Sequence, residues 1–134
     1  MICDEIYEAI NDPDDDGTRV NYIADEFRGE RDAIEILELL NSSDSELISI
    51  GAWILDEICF DKYKKKGEII FRLVDLCSHE DSNVRYSVLG ALYAVFEVDK
   101  QFARKILGKM RLDVDEGVRN SVQLITEKLS LYKE

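Results

Sequence analysis

Asp81-Ser82-Asn83-Val84-Arg85-Tyr86-Ser87-Val88-Leu89-Gly90-Ala91-Leu92 decides the fold class. Val84, Val88, Ala91, Leu92 and then Val95 recur at the three- and four-residue spacing that gathers side chains on one face of an α-helix. Asp81 stands just ahead of them, where its carboxylate can accept unpaired amide hydrogens of the first turn. The pattern repeats along the chain. Ala33, Ile36, Leu37 and Leu40 share a face, and Leu47, Ile50, Gly51, Ile54, Leu55 and Ile58 form a second stripe. Others run through Ile69, Ile70, Leu73, Val74 and Cys77, and through Val118, Val122, Ile125 and Leu129. The breaks at 41–44, 78–82 and 113–117 hold aspartate or serine in capping positions. No strand-like alternation survives beyond a few residues. The expected class is all-α.

The stretch also has copies. Asp44-Ser45-Glu46-Leu47, Asp81-Ser82-Asn83-Val84 and Asp115-Glu116-Gly117-Val118 recur at intervals of 37 and 34 residues. In register, Leu39, Leu76 and Met110 precede the turn, as do Ile36, Leu73 and Leu107. After it, Ile54-Leu55, Ala91-Leu92 and Ile125-Thr126 hold matching places. One helix–turn–helix per period of this length reads as a helical solenoid, whose units must stack to bury their stripes.

Asp81-x-x-Val84-Arg85-x-x-Val88-x-x-Ala91-Leu92 resembles the HEAT-repeat signature, and Asp115-x-x-Val118-Arg119-x-x-Val122-x-x-Ile125 resembles a further copy. The resemblance covers residues 32–130 and implies a short right-handed α-α superhelix. It also implies charge pairs between successive repeats, a role that falls to Asp81, Asp115, Arg85 and Arg119. The first copy departs, with Ile48 for the arginine and Gly51 for the small aliphatic. The expected organisation is one domain, 1–134, with repeats at 32–60, 67–98 and 101–130. Residues 1–31 then supply a capping helix pair near 2–11 and 18–28, striped by Ile6, Ala9 and Ile10 and by Val20, Ile23, Ala24 and Phe27.

The 134 residues are 46% hydrophobic with one proline and seven glycines, which excludes a disordered chain and suits one core. No apolar run nears the ~20 residues that span a bilayer, and Met1-Ile2-Cys3-Asp4-Glu5 lacks the basic start of a signal peptide. A cytoplasmic protein is expected. Cys3, Cys59 and Cys77 are odd in number and lack CxxC spacing, so they read as free thiols, the last two among apolar neighbours.

The net charge of −12 is unevenly spread. Residues 1–60 hold 17 acidic side chains against Arg19, Arg28 and Arg31, a balance of −14, while residues 61–134 balance at +2. Phosphate repulsion disfavours a nucleic-acid or anionic-membrane partner, and the field favours a basic protein. An acidic surface that merely keeps a monomer soluble is the plain alternative. Lys62-Tyr63-Lys64-Lys65-Lys66 is the one basic run, and a solvated loop is its default reading.

Chemistry-bearing motifs are sparse. Asp12-Pro13-Asp14-Asp15-Asp16-Gly17 copies the opening of an EF-hand loop, but Ile23 stands where the closing glutamate belongs, so no metal is expected. The loop reads instead as a helix-capping turn, or as four carboxylates facing a partner's cations. His79, the only histidine, sits in a turn and is expected to face solvent. No nucleophile–base order, metal motif or phosphate loop appears, so neither an enzyme nor a cofactor is expected.

In the resembled family the second helices line a concave binding face. Off-stripe positions there are Ser49, Trp53, Asp56, Glu57 and Phe60, then Tyr86, Leu89, Tyr93 and Glu97, then Asn120, Gln123 and Glu127. Trp53, Phe60 and Tyr93 have two open readings, packing against neighbouring repeats or anchoring a partner. The expected partner-binding set is Asp12, Asp14, Asp15, Asp16, Trp53, Asp56, Glu57, Tyr86, Tyr93 and Glu97. In size and charge the chain is similar to bacterial immunity proteins, which implies an inhibitor of a basic toxin such as a nuclease. The alternative is a generic HEAT-like adaptor.

Overall fold

Five of the helical segments start on an aspartate. Asp32, Asp44, Asp81, Asp99 and Asp115 accept the backbone N–H of Ile34, Glu46, Asn83, Phe102 and Val118 at 2.8–3.0 Å. Each bond satisfies an amide that the first turn leaves unpaired. The computed structural model describes residues 1–58 and 66–131, and among them every regular element is helical. These are α1 (Ile2–Asn11), α2 (Thr18–Arg28), a 3₁₀ turn (Ala33–Glu35) leading into α3 (Ile36–Leu40), α4 (Ser45–Ile58), α5 (Lys66–Leu76), α6 (Ser82–Val98), α7 (Lys100–Met110) and α8 (Glu116–Lys128). Cys59, Phe60 and the basic run from Lys62 to Lys65 lie outside the described residues.

The helices pair as the periodicity requires. α3 packs on α4, α5 on α6 and α7 on α8, while α4 packs most extensively on α6 and α6 meets α8. α1 and α2 cover the other side of α3 and α4. One apolar cluster runs from Ile2 and Phe27 through Leu55 and Leu92 to Leu129. Gly51 lets α3 and α4 approach closely: a Cβ there would lie 2.9 Å from Leu39 Cβ. No helix among the described residues is long and apolar enough to cross a membrane.

Several side chains depart from expectation. Leu89 is fully buried, although its position is off the stripe, because α6 touches α4, α5, α7 and α8 and so buries a wider arc than one stripe. Ile48, at the register position of Arg85, is also in the core.

Arg85 of the α5–α6 pair reaches a carboxylate beside the α7–α8 pair, but not an expected one. Arg85 is 8% exposed and grips Asp113 with two parallel bonds, Nε to Oδ2 and Nη2 to Oδ1, both 2.8 Å. Its Nη1 donates to the carbonyls of His79 and Glu80. Asp81 and Asp115, expected as the partners, cap α6 and α8, and it is Asp113, in the turn between α7 and α8, whose two oxygens stand opposite the Arg85 fork. Arg119 donates to the Asp113 carbonyl at 2.7 Å rather than to Asp115. His79 is half-buried rather than solvent-facing, because its Nδ1 accepts the Asp81 N–H at 3.0 Å.

Candidate functional site

The repeat register sets out the surface shared by α4, α6 and α8. Trp53, Gly90 and Leu124 occupy one register row, and Asp56, Tyr93 and Glu127 the next. Two large side chains flank a bare backbone in the first row, so the surface opens in the middle. The opening is a hollow of about 270 Å³ lined by Asp56, Gly90, Tyr93, Ser121, Leu124, Ile125 and Lys128. A Cβ on Gly90 would stand 3.4 Å from Asp56 Oδ2, so the carboxylate lies over that glycine.

Burial raises the Asp56 pKa above the ordinary carboxylate value, and repulsion from Glu57 adds to it. Glu57 itself is engaged: its Oε2 takes Arg28 Nη2 at 3.1 Å and ties α4 to α2. Tyr93 is half-buried against the core, with Lys128 Nζ 5.8 Å from its ring centre. Trp53 is likewise half-buried and packs on the core. Tyr86 is 55% exposed and Glu97 is exposed, but neither lines the hollow. On α8 the expected Asn120, Gln123 and Glu127 do not line it either; Ser121, Leu124 and Lys128 do. Gln123 lies on another side of α8, with Arg111 and Arg119. Gly90, Ser121, Leu124 and Lys128 are lining residues that sequence reasoning missed. The signal for Gly90 was its place in the Trp53–Leu124 row.

The acidic loop turns most of its oxygens inward. Asp12 Oδ1 accepts the Asp14 N–H and its Oδ2 pairs with Arg19 at 3.3 Å. Asp15 accepts the N–H groups of Gly17 and Arg19, and Asp16 accepts the N–H and hydroxyl of Thr18, which lowers the Asp16 pKa. Gly17 closes the turn at φ +97°, a conformation that disfavours any residue with a Cβ. Ile23, where an EF-hand needs its last carboxylate, is buried.

The N-terminal arginines are committed to their own surroundings. Arg31 bonds Glu5, Glu26 and Glu35 at 2.6–3.2 Å and lies over the Phe27 ring at 4.9 Å. These hydrogen bonds raise its pKa further. Arg28 pairs with Asp25 and Glu57, and Arg19 with Asp12 and Glu8. The two described cysteines are free, and burial pushes Cys3 up to about 11 and Cys77 to about 12, so both stay protonated and poorly nucleophilic at neutral pH.

The molecule is thus an all-helical chain of packed helix pairs with a small polar–aromatic hollow on one face. No family model, curated protein or solved structure matches it.

Proposed function

We propose that the chain is a non-catalytic protein-binding module, folded as a short right-handed superhelix of HEAT-like pairs, that neutralises a basic protein. The reading taken furthest is an immunity protein or inhibitor acting on a toxin such as a nuclease. One observation carries it: residues 1–60 hold 17 carboxylates, and all three arginines among them are already locked into ion pairs within the chain. Three arginines against 17 carboxylates leave a large surplus, and the field is left for an outside cation. A nuclease presents lysines and arginines where substrate phosphate sits, and an array of carboxylates complements them. The superhelical arrangement draws support from the shared capping register and from the succession of contacts α4–α6–α8. The second reading, a generic adaptor, is favoured by Phe71, Leu112 and Val114, apolar side chains that stand at least 80% exposed.

Capture of partners from the source cell, followed by association kinetics at rising salt, tests the proposal. The expected partner is basic, and its association rate falls as salt rises and falls again when Asp12, Asp14, Asp15 and Asp16 become asparagine. An acidic partner, or a rate indifferent to both changes, leaves the adaptor reading standing instead.

A further inference from the structure

We propose that the hollow among α4, α6 and α8 is the seat of one arginine side chain from a protein partner, its guanidinium paired with Asp56 and lying along Tyr93. This rests on the basic-partner reading and names a contact through which it acts. Size comes first. At about 270 Å³ the hollow stands at the small end of ligand sites and has room for a single side chain. Its existence depends on Gly90, which interrupts the row from Trp53 to Leu124 and leaves Asp56 standing over bare backbone.

Charge comes second. Among the described residues Asp56 has no ion-pair partner, whereas the adjacent Glu57 holds Arg28. Asp56 is exposed and so open to an incoming cation, while the bulk of the fold around it displaces its pKa upward. A carboxylate in that condition gains more from an incoming cation than a fully hydrated one does.

The aromatic wall comes third. Lys128 Nζ already hovers 5.8 Å from the Tyr93 ring centre, at the outer edge of the ~6 Å reach of a cation–π contact. The chain's own cation therefore marks the wall as one that attracts positive charge, yet Lys128 is exposed and displaceable. Arginine fits better than lysine. Its planar fork can meet a carboxylate with two bonds while its face lies on a ring, which an ammonium cannot do. In this account Lys128 is a placeholder that leaves when the partner's arginine arrives.

The test uses the full chain, n-butylguanidinium chloride as the probe and n-butylammonium as its comparison, read by amide and aromatic NMR shifts. Saturable shifts centred on Gly90 and Tyr93 are expected. Asp56→Asn should weaken them about tenfold, the loss of a charge-assisted bond pair. Lys128→Ala should tighten binding about twofold, while Lys105→Ala, which removes the same charge from an exposed position on α7, should not. Shifts scattered over the acidic surface, indifference to Asp56→Asn, or equal binding of butylammonium would overturn the proposal. If the probe finds no seat while a basic partner still binds with salt dependence, the hollow is excluded and the broader reading stands. A seated probe with no such partner removes the broader reading and leaves a guanidinium site.

Discussion

Three different residues do one local job in this chain. Ser42, His79 and Asp113 each stand two positions before a capping aspartate and accept its N–H at 2.9–3.0 Å. Only Asp113 also takes a guanidinium from the preceding repeat, and only that repeat carries an arginine, Arg85, where the first has Ile48. The pair is nearly buried, so removing one partner leaves the other uncompensated, and Asp113→Ala should cost about 3 kcal/mol in urea unfolding near pH 7. Pairing with Arg85, first among the causes, holds the Asp113 pKa below its ordinary 3.8. Its contribution is therefore fully present above 3.8 and lost as pH falls through the lowered value, so the gap between native chain and variant should narrow in acid. Asp56 works in the opposite sense. Its raised pKa means the charged form opposes folding at neutral pH, so Asp56→Asn should raise the unfolding midpoint, and that gain should vanish as pH drops below 3.8. A midpoint lowered by Asp56→Asn would show that the carboxylate is a structural support.

At the scale of the helix, two glycines separate packing from propensity. Gly51 sits where α3 and α4 touch, with Leu39 Cβ 2.9 Å and Leu40 Cδ2 3.3 Å from any added Cβ. Gly108 lies in α7 with nothing within 4 Å of that point. Gly51→Ala should destabilise by about 1–3 kcal/mol through overpacking. Gly108→Ala should stabilise by up to about 1 kcal/mol through helix propensity. Thermal unfolding of the two variants checks both signs, and a stabilised Gly51→Ala would mean that α3 shifts freely. The helices themselves were legible in the sequence. Stripes placed α1 and α2 where they lie, because amphipathic spacing is a local property of the chain. What escaped was anything fixed by a neighbour. The arc buried around Leu89 depends on how many helices touch α6, and the choice of Asp113 over Asp115 depends on which carboxylate the packing of α6 on α7 and α8 sets beside Arg85. The hollow was half legible. Asp56 and Tyr93 came from their positions off the apolar stripe, whereas Lys128 required knowing which side of α8 faces α6.

For the whole molecule, the acidic half sets two responses to salt that run against each other. The −14 balance of residues 1–60 repels itself within the folded chain, and the internal ion pairs of Arg19, Arg28 and Arg31 offset only part of it. Raising ionic strength from about 0.01 M to 0.15 M shortens the screening length from about 30 Å to 8 Å, which removes repulsion across the molecule but leaves contacts of about 3 Å largely intact. The free chain should therefore gain thermal stability with added sodium chloride, most steeply at the low end of that range. Exposed pairs weaken at the same time, but each contributes little, so the repulsive field should prevail. The same salt should slow association with a basic partner, since the attraction it screens is the continuation of that field outward. Scanning the unfolding midpoint of the free chain against salt separates the two alternatives. A rising midpoint means that net repulsion outweighs the local pairs, and a basic partner would relieve that repulsion on binding. A falling midpoint would mean that the local ion pairs outweigh the net field, and the carboxylate surplus would then be a device for holding α1 to α4 together, with no outside cation required.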